Sequence, residues 1–438
     1  MTPALVVGIV SLAAVLGLIA IRIPIGVSLG IVGLAGFTWL RSFDVALGNI
    51  AQIPFETAAN WGLSAIPMFI LMGSIAFNSG ISESLFRAAR LWFSGLPGGL
   101  AVATNLASAA FGAASGSSVA AAATMSRVAI PEMLKHGYDK GLAAGCVASA
   151  GTLAALIPPS VMFVLYGVFA QVSITKLLIA GVLPGLLTAG AYTVLILVRC
   201  SLDPSLAPKL SSAEQADLKR ERWAALIPIW PLLLLMAGMI GGLYGGIFTA
   251  TEAGAAGASL ALVVAATQGR LNYRMIKASV FETVTTTGQI FFIAIGAVLY
   301  TRFLGLAGLS EAIHDVIGTW ALNPTLLIVA ASIVYLILGM FLDPLGILLI
   351  TLPVFQPMFD AVHADPIWVG VIVVKYIEIG LLTPPVGFNV YMVKSVVGDS
   401  IPLETIFRGV GWFLVAEFFT MLLLIVFPSI STVLPHAM

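Results

Sequence analysis

Along the chain, apolar runs long enough to cross a bilayer alternate with short polar breaks. Spans are predicted at 3–21, 24–40, 61–79, 178–198, 224–244, 252–268, 284–301 and 409–428, each near the roughly 20 residues a hydrocarbon core requires. Two further apolar runs, 141–171 and 366–396, are broken by adjacent prolines within Gly151-Thr-Leu-Ala-Ala-Leu-Ile-Pro-Pro-Ser160 and Gly380-Leu-Leu-Thr-Pro-Pro-Val-Gly387. Two more, 98–134 and 323–360, are interrupted near their middles by Ala114-Ser-Gly-Ser-Ser118 and Gly339-Met-Phe-Leu-Asp-Pro-Leu-Gly346. Each of these reads as two spans with a surface turn or as a re-entrant hairpin whose polar tip stops inside the protein. Short amphipathic pieces lie at 81–95, 173–177 and 302–316, and the one clearly hydrophilic loop, 199–222, holds five of the twenty basic residues.

The pattern repeats. Setting residue n beside residue n+226 pairs Pro131 with Pro357, Asp139 with Asp365, and Pro158-Pro159 with Pro384-Pro385. With a small gap, Gly73 falls beside Gly296. Each repeat reads as a span, an amphipathic piece, an interrupted hairpin and a proline-broken span. Basic residues in short loops mark the cytoplasmic side. Lys135 and Lys140 follow the first hairpin, whereas Ala361-Val-His-Ala-Asp-Pro366 has neither lysine nor arginine. With both hairpins re-entrant, 16 of 20 Lys/Arg fall on the cytoplasmic side, Arg41, Lys176 and Arg302 outside, and Lys375 within a span. The two halves therefore read as inverted, with both termini facing outward.

Composition agrees. The chain is 60% hydrophobic and 9% charged, against about 25% charged in soluble domains, and 438 residues allow on the order of a dozen crossings. The zero net charge offers no basic field for nucleic acid. Cys146 and Cys200 lack metal or redox spacing. The histidines, His136 among them, are scattered without ligand spacing, and no Gly-x-x-x-x-Gly-Lys phosphate loop occurs. The N-terminal run lacks the basic start of a cleaved signal and counts as the first permanent span. These readings favour transport over catalysis.

Two adjacent prolines remove two N–H donors and end regular helix. Carbonyls so freed are tolerated at membrane depth where they line a cavity or hold a cation. Transporters built from inverted repeats use such breaks for Na⁺, and aim helix N-termini at anionic groups. At the hairpin tips, Ser115, Ser117 and Ser118 offer hydroxyls and Gly116 permits tight curvature. Asp343 has two roles open to it: capping the second hairpin arm, with Pro344 at the first helical position, and coordinating an ion. Asn105 and Asn389 suit either a polar substrate or a bridge between helices. Lys375 and Glu378, three apart on one helical face, are expected to neutralise each other. Arg127, about ten residues past the first tip or roughly 15 Å along a helix, is expected to snorkel to the cytoplasmic surface.

The strings Ala65-Ile-Pro-Met-Phe-Ile-Leu-Met-Gly73, His136-Gly-Tyr-Asp139, Ile157-Pro-Pro-Ser160, Gly245-Gly-Ile-Phe-Thr-Ala-Thr-Glu252 and Leu381-Leu-Thr-Pro-Pro-Val-Gly387 together resemble the large membrane (M-type) subunit of tripartite ATP-independent periplasmic (TRAP) transporters. The likeness runs from about residue 5 to 428. Ala250 departs from it where that family commonly has proline, and Lys375 and Tyr376 are unusual ahead of Glu378-Ile-Gly380.

The resemblance implies an all-α polytopic protein of two inverted repeats, working as a Na⁺-driven elevator for an organic acid such as sialic acid or a C4-dicarboxylate. Residues 61–171 (hairpin 98–134, broken helix 141–171) and 284–396 (hairpin 323–360, broken helix 366–396) would form the moving transport domain. Residues 1–60, 172–283 with the cytoplasmic loop 199–222, and 397–438 would form the scaffold. One Na⁺ would sit at Ser115, Gly116, Ser118, Gly151, Thr152 and Pro158. A second would sit at Gly339, Asp343, Gly380, Thr383 and Pro384. Substrate would lie near Ser117, Ser160, Gly387 and Asn389, with Asn105 a further candidate. Partners would be a small four-helix membrane subunit and a periplasmic substrate-binding protein, both separate chains, with the assembly in a bacterial or archaeal cytoplasmic membrane. The competing reading is a stand-alone Na⁺/carboxylate symporter with no binding protein.

Overall fold

The computed structural model describes residues 2–208, 221–320 and 323–438. Half of the predicted hydrophilic loop, residues 209–220, lies outside the described residues. Every regular element among those described is a helix, and seven are long and apolar enough to cross a membrane, including Pro3–Ala20, Tyr273–Leu306 and Leu403–Val426.

Side-chain caps set many of the helix starts. The acids paired at an offset of 226 are one device used twice. Asp139 accepts from the Leu142 N–H at 2.8 Å and opens helix Lys140–Gly151. Asp365 accepts from Ile367 and Trp368 N–H at 2.8 and 3.2 Å and opens helix Pro366–Gly380. A cap oxygen satisfies helix N–H groups that have no partner within the helix, which matters most where no water reaches. Pro131 and Pro357 likewise occupy matching places inside helices Ser118–Lys135 and Pro344–Ala361.

The same order of helices occurs twice, beyond the bounds expected from sequence. Pro3–Ala20 and Ile25–Leu40 match Trp230–Tyr244 and Ala250–Thr267. Hairpin arms Gly99–Ser115 and Ser118–Lys135 match Pro324–Gly339 and Pro344–Ala361. The broken pairs Lys140–Gly151/Val161–Phe169 and Pro366–Gly380/Phe388–Val397 correspond, as do the closing helices Val182–Leu202 and Leu403–Val426. The X-Pro bonds Pro158-Pro159 and Pro384-Pro385 are both cis.

Two elements differ from expectation. Helix Phe43–Ala58, capped by Ser42, fills a stretch to which the hydrophobic pattern assigned nothing. In the second half, the expected span 284–301 and the start of the amphipathic piece 302–316 belong to one 34-residue helix, Tyr273–Leu306, about 51 Å long. The break falls instead at Gly308, whose φ of +73° suits glycine. No residue between 284 and 306 stops the helix, and Arg302 near its end pairs with Glu56 of Phe43–Ala58.

Small residues set the helix crossings, as expected where lipid supplies no hydrophobic drive between helices. Ile25–Leu40 packs along Tyr273–Leu306 so closely that a Cβ on Gly26 would lie 3.0 Å from the Ile293 Cα. Ala250–Thr267 packs in the matching way on Ala65–Asn78. Leu403–Val426 lies against Lys140–Gly151, where a Cβ on Gly145 would come 2.8 Å from the Val410 nitrogen.

Candidate functional site

Both hairpins end in capped turns that touch a broken helix. At the first, Gly116 adopts φ +64° between its two arms, and Ser117 caps the second by accepting from the Ala120 N–H at 3.4 Å. A Cβ on Gly116 would lie 2.7 Å from the Pro159 carbonyl oxygen, and one on Gly151 3.0 Å from the Ser118 carbonyl oxygen. The first tip thus rests on both sides of the first break. At the second, Asp343 Oδ1 accepts from Leu345 and Gly346 N–H at 3.1 and 3.0 Å, so capping is a role it does fill. Just before that tip, Gly339 meets Gly380 of the second broken helix, and a Cβ on either would lie 2.6 Å from the other's Cα.

The tips open onto one cavity of about 880 Å³. Ser118, Val161, Pro344 and Phe388 line it, and each is the first residue of a helix. Four helix N-termini, two from each half, therefore end on the same space; Ser117, Ser160 and Asp343 cap three of them, the fourth at Phe388 has no side-chain cap, and each presents the positive end of its helix dipole. Arg22 and Arg127 add two full positive charges to the wall, set against two acids, Glu282 and Asp343, with Thr124, Thr286 and Gln289 as polar neighbours. Arg127, expected to reach the cytoplasmic surface, is exposed and also lines this cavity. Phe77, Phe111, Ile290 and Phe292 supply apolar wall.

Of the residues singled out from sequence, Ser115, Gly116, Ser117, Ser118 and Asp343 line the cavity. Gly151, Thr152 and Pro158 are buried behind the first tip. Gly339 and Gly380 are buried behind the second, while Thr383 is half-buried and donates to the Ile379 carbonyl at 2.8 Å, and Pro384 is exposed. Ser160 is buried, donating to the Ala155 carbonyl at 2.6 Å and accepting from Phe163 N–H. Gly387, at φ +60°, opens helix Phe388–Val397 but is off the wall. Asn389 is 0% exposed, and its amide has no hydrogen-bond partner. Asn105 also lies off the wall: it donates to the Ala189 carbonyl at 2.8 Å and Thr193 Oγ1 at 3.0 Å, bridging the first hairpin to Val182–Leu202.

The expected pairing of Lys375 with Glu378 is overturned. Lys375 Nζ lies 2.5 Å from Glu417 Oε2 and donates to Thr188 Oγ1 at 3.0 Å. Tyr192 OH donates to the other oxygen of Glu417. Glu378 instead accepts from Ser118 Oγ, at the first tip, at 3.1 Å. Lys375 and Glu378 are both 0% exposed and Glu417 is 1% exposed. Glu417, Tyr192 and Thr188 were missed from sequence, because their partners lie on helices far away along the chain. The only available signal was Glu417 itself, an acid within an apolar run.

Hairpins, paired breaks and converging helix N-termini define a multi-pass helical membrane protein of the transporter class. A model of the family described as "Tripartite ATP-independent periplasmic transporter, DctM component" matches residues 12–430. The chain is 35% identical over 411 residues, 92% of its length and 93% of the relative's, to the C4-dicarboxylate TRAP transporter large permease protein DctM of Pseudomonas aeruginosa. It is 33% identical to the sialic acid large permease protein SiaM of Vibrio cholerae, with 96% of each chain covered. It is 34% identical to the ectoine/5-hydroxyectoine large permease protein UehC of Ruegeria pomeroyi, over 84% of this chain and 85% of that one. The crystal structure of the Alcanivorax borkumensis YdaH transporter shares the fold, with a TM-score of 0.63 at 14% identity over 88% of this chain and 89% of that one. The chain belongs to the DctM family, the large membrane subunits of TRAP transporters.

Proposed function

We propose that this subunit carries an organic acid into the cell, driven by Na⁺, after a periplasmic binding protein has delivered it. The observation that carries the reading is the meeting of four helix N-termini on one cavity of about 880 Å³, whose wall also holds Arg22 and Arg127 beside the acids Glu282 and Asp343; helix N-termini are suited to a small carboxylate. The relatives' names support the class: C4-dicarboxylate, sialic acid and ectoine all bear carboxylates. A small membrane subunit would be the second partner, and a cytoplasmic membrane the location. Na⁺ is read here as co-transported cargo. The oxygens at the first tip fit a hard cation, since Ser115 Oγ is buried without a partner and the Ser118 carbonyl faces Gly151.

The two halves are proposed to be inverted, with both termini outward. On that topology Arg22 and Arg127 lie on the cytoplasmic side, so the cavity they line opens inward. The load would then move as in an elevator. Val182–Leu202 and Leu403–Val426 pack on the first hairpin and the first broken helix and share the buried Lys375–Glu417 pair. We therefore place them with the moving body, which revises the partition expected from sequence. The spans 3–40 and 230–267 remain as scaffold, and the long helix, whose 284–306 part was expected in the moving body, is placed with them. Two Na⁺ with a monoanion would move one net charge inward, gaining about 2.3 kcal/mol per 100 mV. With a dianion, the same cycle would be electrically silent.

Uptake of a library of organic acids into proteoliposomes, holding this chain and its small partner, tests the proposal. Uptake that requires both an inward Na⁺ gradient and the binding protein is expected. Uptake with Na⁺ alone would favour the stand-alone symporter, and uptake indifferent to Na⁺ would overturn the coupling.

A further inference from the structure

The buried charges around the second broken helix do not cancel. Lys375 spends its positive charge on Glu417, 2.5 Å away, and its remaining contact is the neutral Thr188 hydroxyl. Glu378, on the same helix and 0% exposed, is left without a cation. One of its oxygens accepts from Ser118 Oγ at 3.1 Å; the other is buried with no partner at all. An unpaired carboxylate withdrawn from water is among the costliest groups a membrane interior can hold, so the position calls for a ligand.

Its surroundings specify which kind. Ser118 opens the second arm of the first hairpin, and three residues earlier Ser115 Oγ is also buried and unpartnered. The Ser118 carbonyl faces Gly151, where a Cβ would lie 3.0 Å from it. Two serine hydroxyls, a backbone carbonyl and a carboxylate thus gather at one tip. All are oxygen donors, and oxygen sets of this kind hold hard cations. One carboxylate charge balances one monovalent ion.

We propose that Glu378 is a ligand of the Na⁺ site at the first hairpin tip, reaching it from the opposite half of the chain. The inference rests on the Na⁺ coupling proposed above. Two consequences follow. The ion at this tip is neutralised where it binds, so the loaded site crosses without net charge and the empty carrier returns with the negative charge of Glu378, leaving the net charge moved per cycle unchanged. The site is also complete only while the second broken helix is docked against the first tip, so ion binding ties the two halves into one body.

The test is Na⁺ binding by the purified subunit complex, read without transport. The Na⁺ concentration that gives half-maximal thermal stabilisation is measured against K⁺ at constant ionic strength, and bound ²²Na⁺ is counted per chain. Glu378→Gln is expected to raise the midpoint by about tenfold or more, the scale seen when even a partner of a metal ligand is lost, and to lower the count by one ion. The paired variant Lys375→Met with Glu417→Gln removes a neutral pair nearby and is expected to leave both readings in place. A Glu378→Gln midpoint equal to wild type would overturn the proposal, as would an equal shift in the paired control. If Gln prevents folding, Glu378→Asp keeps the charge but withdraws it by one methylene, and an unchanged midpoint there would overturn the proposal equally. Absence of any Na⁺ effect on the wild type would instead remove the coupling on which the proposal rests.

Discussion

Lys375 and Glu417, fully buried and 2.5 Å apart, join the second broken helix to helix Leu403–Val426. Removing one member of a buried pair strands the other's charge, at a cost of about 3–5 kcal/mol, while replacing both with neutral groups of similar volume costs little. Lys375→Met alone is therefore expected to lower thermal stability in detergent sharply. Lys375→Met with Glu417→Gln should recover most of the loss. Equal stability of the single and double variants would mean that the pair does not hold these helices together.

Gly339 and Gly380 bring the second hairpin and the second broken helix into backbone contact, with a Cβ on either 2.6 Å from the other's Cα. No side-chain rotation relieves a clash with backbone. Gly339→Ala must therefore separate the two segments, at about 1–3 kcal/mol for overpacking. The expected result is a lower unfolding temperature together with weaker Na⁺ binding, because that contact closes the second proposed ion site. Gly241→Ala serves as the control, since a Cβ there meets nothing within 4 Å.

What the sequence made legible was local. Asp139 and Asp365 announced matched helix starts because capping needs only an acid and the two or three residues after it. The double prolines and Ser/Gly tip marked breaks by the same local logic. Helix Phe43–Ala58 was illegible because Asp44, Asn49, Gln52, Pro54 and Glu56 interrupt its apolar residues, leaving neither a span nor a clean amphipathic stripe. The partner of Lys375 was illegible for another reason. Helical spacing points to Glu378, but which neighbour an ammonium reaches is decided by the helix packed opposite, and Glu417 is supplied by helix Leu403–Val426. That Arg127 also lines the cavity was illegible because distance along a hairpin arm says nothing of whether that arm walls one.

Ala250 is the residue at which the resemblance read from the sequence leads one to expect proline. It is the first residue of helix Ala250–Thr267, behind the Thr249 cap and its reciprocal partner Glu252. Proline is well accepted at that position, because the N–H it lacks has no partner within the helix and its φ is already helical. Ala250→Pro is expected to leave transport intact and to leave stability unchanged or raise it by about 0.5 kcal/mol through reduced freedom of the unfolded chain. A fall in unfolding temperature would show that the buried Ala250 side chain has no room for the ring.

Arg127 offers the sharpest test of the cavity as an anion path. It extends from the second arm of the first hairpin into the wall that Arg22 shares. If these guanidinium groups draw the substrate in, Arg127→Ala should raise the KM for uptake about tenfold, equivalent to about 1.4 kcal/mol, with a smaller effect on kcat. Arg127→Lys should lose much less, since the charge remains. Raising ionic strength should weaken uptake by the wild type more than by Arg127→Ala, because screening acts on the charge that the variant has already lost. Arg22→Ala should behave alike. An Arg127→Ala variant with wild-type KM and salt dependence would show that the side chain serves only the membrane surface, and that the four helix N-termini recognise the acid by themselves.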